Sequence, residues 1–359
     1  MAKVVSKWAT VVPPLVAIIL VATWGRSLPL FIVLGVAVAL GAAVLTAVHH
    51  AEVVAARVGE PYGSLVLAVA VTVIEVGLIV SLMASGKAGS ESLARDTVFA
   101  AIMITTNGIV GISLLVGTFR RSVVRFSADG TSGALAALTA LTTLSLVLPT
   151  FTASSPGPTF STGQLAFAAV VSLALYGTYV FVQTVRNREY FLPVGTSGKA
   201  VATRRQPSDR DVWASLGLLV ICLVSVVGLA KVISPSIEDA VQSLGAPQAV
   251  VGVVIAALVL LPETLAAVRA ARHNRLQTSM NLAYGSALAS IGLTIPAIAV
   301  ATIWLPGQLL LGLAPTEIIL FALTVGVSAF TVNTGRATLL QGGVHIVLFA
   351  SFLFLAFSP

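Results

Sequence analysis

Charge is what this sequence has least of. Only 9% of its residues are Asp, Glu, Lys or Arg, against roughly a quarter in a soluble domain. Stretches of about 20 residues run almost without charge, the length an apolar helix needs to cross a bilayer. A soluble globular fold is thereby excluded. Cysteine is nearly absent too. The lone Cys222 sits in an apolar run and cannot form an intrachain disulfide; a small buried hydrophobe is its expected role. Aromatics make up 7% of the chain and do not interleave with basic residues. The excess of seven positive charges is therefore not read as nucleic-acid binding.

What is abundant is apolar sequence, at 57%. The pattern predicts an all-α polytopic membrane protein with eleven transmembrane helices, near 9–24, 28–48, 63–84, 97–118, 131–150, 163–185, 212–233, 248–268, 279–304, 315–333 and 338–357. The N-terminal stretch has Lys3 and Lys7 before an apolar core, as a secretory signal does. Trp24-Gly25-Arg26 is a poor cleavage context, so a retained first span is expected. The segment 186–211 is polar and basic on balance, with two prolines and two glycines; it reads as a connecting loop between two halves. With the N-terminus in the cytoplasm, only Arg26, Lys87, Arg95 and Lys231 of the 20 Lys and Arg fall outside. That asymmetry supports the topology and places the C-terminus outside.

The halves resemble each other. Glu52 lies seven residues before Gly59, and Glu238 seven before Gly245. Each glycine opens a Gly-x-Pro, ending at Pro61 and at Pro247, and an apolar run follows. Glu75 comes sixteen residues after its glycine and Glu263 eighteen after its own. Near the two ends, Tyr176, Tyr179 and Phe181 of "LALYGTYVFV" match Phe349, Phe352 and Phe354 of "HIVLFASFLFL". The expected layout is one N-terminal helix (1–25), a first five-helix repeat (26–188), a cytoplasmic linker (189–211) and a second five-helix repeat (212–359). An odd number of spans per copy inverts the second copy, an architecture of transporters that bind substrate near the midplane.

Of the 13 acidic residues, only Glu75 and Glu263 fall inside apolar spans. They are also the repeat-related pair. An ionised carboxylate at the bilayer centre costs about 2.5–3.5 kcal/mol on insertion scales. A proton relieves that cost, and so does a bound cation. Protons and cations therefore compete for the same oxygens, which is the chemical basis of antiport. Pro262 directly precedes Glu263 and is expected to break the helix there, freeing backbone carbonyls. Hard cations also take neutral oxygens. Thr105, Thr106 and Asn107 of "MITTNGIVG" are candidates, as are Ser286 and Ser290, four apart on one helical face. Small polar residues also serve as packing glue between membrane helices. Gln341 and His345, four apart in the last span, read as an interhelical hydrogen bond, with a relay role as the alternative. His49 and His50 end a span, and His273 lies in a basic loop.

The segments "ARDTVFAAIMITTNGIVGISLLVG" (94–117), "LPETLAAVRAARHNRLQTSMNLAYGSALASIGLTIPAI" (261–298) and "QGGVHIVLFASFLFL" (341–355) resemble the ChaA-type branch of the calcium/cation antiporter superfamily. The resemblance covers most of the chain beyond the first span. It implies Ca2+/H+ or Na+(K+)/H+ antiport and ten core helices in two inverted repeats plus one extra N-terminal helix. It also implies one glutamate per repeat as the shared cation and proton site. Glu75 and Glu263 occupy those positions, and Asn107 and Ser286 match polar positions of the following helices. The broader calcium/proton exchangers carry Gly-Asn-Ala before each glutamate. Here Thr72-Val73-Ile74 and Leu260-Leu261-Pro262 stand there, which removes amide ligands and weakens the case for strict calcium preference.

Two other classes compete. An exporter of a small organic solute would use the glutamates for proton coupling alone, and would need an aromatic-lined cavity. An intramembrane enzyme would need Ser286 and His345 to meet; no H-E-x-x-H metal site is present. The expected partners are inorganic cations, protons and the lipid bilayer of a bacterial inner membrane, with no cofactor and no nucleic acid. The sequence is equally compatible with a monomer and a homo-oligomer.

Overall fold

The structure is a computed structural model that describes residues 2–26, 28–59, 62–84, 89–119, 121–192, 207–243, 245–305 and 307–358. Of the connecting loop, 193–206 lies outside the described residues. The chain forms α1 (Ala2–Thr23), α2 (Leu30–Val58), α3 (Tyr62–Met83), α4 (Leu93–Met103), α5 (Val110–Thr118), α6 (Ala128–Thr142), α7 (Thr162–Phe181), α8 (Asp209–Ser243), α9 (Ala249–Val259), α10 (Leu261–Arg272), α11 (Leu276–Ala301), α12 (Pro315–Asn333) and α13 (Leu339–Phe357). A π-helical turn, Ile104–Ile109, joins α4 to α5 in one continuous stretch. Two residues of β1 (Val124–Arg125) pair antiparallel with β2 (Arg336–Ala337).

Among the described residues, nine helices are long and apolar enough to cross a membrane. The bent pair α9–α10 makes up to ten. The remaining expected span, 9–24, is the shorter apolar stretch Lys7–Thr23. The sequence-based boundaries differ most at the span expected over 212–233. There α8 continues through Pro235 to Ser243. Prolines are tolerated inside membrane helices because neighbouring groups satisfy the freed carbonyl.

Two apolar clusters build the interior. One joins α1, α2, α3 and α8 through residues such as Val36, Ala43, Leu78, Cys222 and Val226. The other joins α4 to α7 with α9 to α13 through Phe99, Leu138, Tyr284 and Leu288. Within the first, α2 lies along α8, and α1 packs on both. Within the second, α4 packs on α9, α5 on α10 and α13, and α7 on α11. His50, expected at an interfacial span end, is instead buried, and its Nε2 sits 2.9 Å from the Ala9 carbonyl oxygen of α1. Gly59 and Gly245, the repeat-matched glycines, have φ of 75° and 63°. A side chain there would meet its own backbone, which explains glycine at both turns.

Candidate functional site

Glu75 sits past the middle of α3, where Ile74, Leu78 and Ile79 fill the core beside it. It is 3% exposed. Its carboxylate is not stranded: the Ser290 hydroxyl of α11 donates to Oε1 at 2.6 Å. A hydrogen bond to a charged acceptor contributes about 1.5–3 kcal/mol, enough to offset much of the cost of carrying a carboxylate at this depth. Ser286, Ser290 and Thr294 recur every fourth residue on α11 and so form one stripe. The Thr294 hydroxyl is buried and has no hydrogen-bond partner among the described residues.

Glu263 reaches the same region by a different route. The helix is interrupted at Leu260, between α9 and α10, and turns by 54°. Pro262 takes an early position in α10, where its missing N–H costs little. Glu263 thus lies in the first turn of a helix, where exposed backbone N–H groups favour a negative charge. It is half-buried, and its Oε2 is buried without a hydrogen-bond partner among the described residues.

The two carboxylates line one cavity of about 240 Å³. Ser286 and Ser290 line it too, with Thr72 and Tyr179 among the other polar residues. The rest of the wall is mostly aliphatic, from Leu67, Val71, Val259 and Leu260. Two acidic oxygen pairs in an apolar, confined space have the chemistry to hold small hard cations or protons. Among the described residues no group of three His, Cys, Asp or Glu comes together in a metal-holding cluster; the acidic part of the site is this pair.

Thr105, Thr106 and Asn107 are not in the lining of that cavity. They form the π-helical turn, and all three are buried. Thr105 and Thr106 donate back to carbonyls of their own helix, Ala101 at 2.7 Å and Ile102 at 2.6 Å. The Asn107 amide donates to Thr324 Oγ1 of α12 at 2.9 Å. Its carbonyl oxygen lies 3.1 Å from Nδ1 of His345 on α13. An amide oxygen only accepts, so Nδ1 carries the proton, and Nε2 accepts from Thr331 at 3.1 Å. Ser286 and His345 therefore belong to different places: one lines the cavity and the other completes this network. Gln341 does not reach His345; it caps α13, accepting from the Thr338 N–H at 2.9 Å.

The arrangement can be set against known proteins. Residues 26–185 and 214–358 match the sodium/calcium exchanger protein family. The chain belongs to that family. A Sinorhizobium fredii protein, y4hA, whose name describes an ionic transporter, is 47% identical over 99% of this chain and 97% of its own length. The sodium-potassium/proton antiporter ChaA of Escherichia coli is 34% identical over 99% of this chain and 98% of its own length. A solved structure of an H+/Ca2+ exchanger, CAX, has a TM-score of 0.70 at 15% identity and covers 96% of this chain and 86% of that one; it speaks to the fold alone. A member of the sodium/calcium exchanger family is an antiporter of inorganic cations built on a multi-pass membrane fold, not a catalyst.

Within this exchanger, the sequence-based choice of site residues missed several that line or flank the cavity, Thr72, Tyr179, Gln183, Thr278, Asn281 and Thr294 among them. Thr294 was legible as the next member of the every-fourth-residue stripe. Thr72 lies three residues, or one turn, before Glu75. Tyr179 carried no local signal, because a tyrosine in an apolar helix reads first as bulk.

Proposed function

We propose that this protein is a proton-coupled cation antiporter that exports Ca2+ in exchange for H+, with Na+ and K+ sharing the same site. Glu75 and Glu263 are the shared cation and proton groups, and Ser286 and Ser290 supply neutral oxygens. The observation that carries this reading is that the two in-span glutamates meet at one cavity, one held by Ser290 and the other with a free buried oxygen. Two carboxylates hold two protons or one divalent cation, so loading one displaces the other. Ca2+, Na+ and K+ are all hard cations with a preference for oxygen. The names of the family and of ChaA between them cover all three.

Alternating access by two inverted five-helix repeats, 26–188 and 212–359, completes the proposal, with 1–25 as an added helix and 189–211 as the cytoplasmic linker. The packing supports it: α3 lies on α11 as α9 lies on α4, and α7 lies on α11 as α13 lies on α5. The family match falls in two stretches with nearly the same limits, 26–185 and 214–358. The protein then resides in a bacterial inner membrane, N-terminus in the cytoplasm and C-terminus outside. This follows from the distribution of Lys and Arg.

Everted membrane vesicles test the reading. With an acid interior, added Ca2+, Na+ or K+ is expected to collapse the pH gradient, and an organic cation of similar charge is not. Vesicles carrying Glu75→Gln are expected to hold the gradient. Collapse at the normal rate by that variant overturns the two-carboxylate site.

A further inference from the structure

We propose that Tyr179 is a specificity-determining residue of the cation site, its phenolic oxygen serving the transported cation as a neutral ligand. This rests on the cavity being the cation site.

Tyr179 lies on α7, which packs along α11. Gly292 makes that approach close: a Cβ there would lie 2.7 Å from Tyr176 Cβ. At Gly285 the neighbour is the Tyr179 hydroxyl itself, 3.8 Å from where a Cβ would stand. Gly285 precedes Ser286 and lies five residues before Ser290, which holds Glu75. The hydroxyl is thus brought beside the polar stripe of α11, in the wall of the cavity that Glu75 and Glu263 share.

Tyr179 is only 6% exposed, and its Oη has no hydrogen-bond partner among the described residues. Leaving a buried hydroxyl unsatisfied costs about 1–3 kcal/mol. Some hydroxyls between spans are satisfied: Ser279 donates to Ser113 at 2.7 Å, and Ser145 and Ser172 lie 3.2 Å apart. Others, such as Thr97 and Ser328, are buried without a partner among the described residues, as Tyr179 is; what sets Tyr179 apart from these is its place in the wall of the cavity. The ring alone does not require the oxygen. Tyr179 stands edge-on to Phe191, with centroids 6.1 Å apart at 82°. Phe352, its repeat-matched residue on α13, stands edge-on to Phe99 at 5.7 Å and 81°. The same aromatic contact is made twice, once with a hydroxyl and once without. The hydroxyl is present where the two carboxylates are.

Glu263 Oε2 is the other unpartnered buried oxygen in this wall. Two oxygens lacking partners on one cavity fit a guest that accepts lone pairs, as a hard cation does. A phenol is neutral, so it adds a ligand without adding a charge. That tunes the preference among Ca2+, Na+ and K+ and leaves the proton count unchanged.

Tyr179→Phe tests this in proteoliposomes holding a pH-sensitive dye, with Ca2+, Na+ and K+ titrated separately. The expected result is a KM about tenfold higher for the carried cation, the loss of one ligand contact. Vmax should stay within about twofold, the loss of a binding rather than a rate contribution, and the order of the three cations should change. Thermal unfolding of the purified variant should be unchanged or higher, because an unsatisfied hydroxyl has been removed. An unchanged KM for every carried cation overturns the proposal. So does a lower unfolding temperature, which would reveal a structural partner for the hydroxyl. Glu75→Gln in the same vesicles separates the two levels. If it exchanges normally, the two-carboxylate reading fails; if it is inactive while Tyr179→Phe keeps its KM, only the role of Tyr179 fails.

Discussion

Glu75 and Glu263 are related by the sequence repeat, yet their surroundings differ in kind. Glu75 is in an unbroken helix, almost fully buried, and held by Ser290. Glu263 is half-buried, starts a helix after a 54° bend, and leaves one buried oxygen without a partner. The difference teaches that two carboxylates can meet at one cavity in unlike surroundings. Glu75 is fixed in position by Ser290, and on the proposed reading it is in place before a cation arrives. The free one has lone pairs to offer, and a bend that lets it adjust.

The sharpest way to break this comparison is to neutralise each partner alone. Glu263→Gln and Glu75→Gln are both expected to reduce exchange to the level of empty vesicles. Unfolding temperature should fall for neither, since each change replaces a buried acid by a neutral amide of similar size. If one variant transports, the site needs a single carboxylate.

Next comes the contact that separates the two. Ser290→Ala removes the donor to Glu75 and is expected to raise the KM for the carried cation by roughly tenfold, the scale of one charge-assisted hydrogen bond. Titration of dye-loaded proteoliposomes reads this directly. An unchanged KM would make Glu75 as unsupported as Glu263.

The bend gives a smaller test, in which activity and stability move in opposite directions. Pro262→Ala lets α9 and α10 join into one helix, since the missing N–H returns. Exchange is expected to fall by roughly threefold, with an unfolding temperature a few degrees higher, the stability–activity trade found where function needs an irregular backbone. Faster exchange would mean that the bend is not needed.

The smallest effect belongs to the glycine turns. Gly59→Ala and Gly245→Ala each force a side chain to positive φ, at a cost of about 1–2 kcal/mol. Equal losses of stability, read by thermal unfolding, are expected if the two turns do the same work. Unequal losses would separate the halves at a position where they look most alike.

Much of the span pattern was legible because bilayer crossing imposes length and apolarity on consecutive residues. The pairing of Glu75 with Glu263 was legible because a carboxylate is conspicuous in such a run. Ser286 and Ser290 followed from helical spacing. The location of Asn107 did not follow. Its neighbours in sequence are polar, as a cation site's would be, but what it touches is set by Thr324 and His345, more than two hundred residues away. A π-helical turn redirects its side chain, and no sequence spacing reports an extra residue in a turn. Tyr179 escaped for a related reason: only the missing partner of its hydroxyl distinguishes it from a packing ring, and a missing partner is a property of three dimensions.

The short pairing of Val124 with Ala337 and of Arg125 with Arg336 has a mechanical consequence. It ties the segment after α5 to the segment after α12, two points far apart in the chain, and Phe126 N–H adds a bond to the Gly335 carbonyl at 2.9 Å. Those bonds act as a weld on one face of the molecule. Parts welded at one end can part company only at the other, or slide as a block against what is not welded. The helices α1, α2, α3 and α8 lie outside that weld and meet in the other apolar cluster, which Val251 and Ile255 of α9 also join.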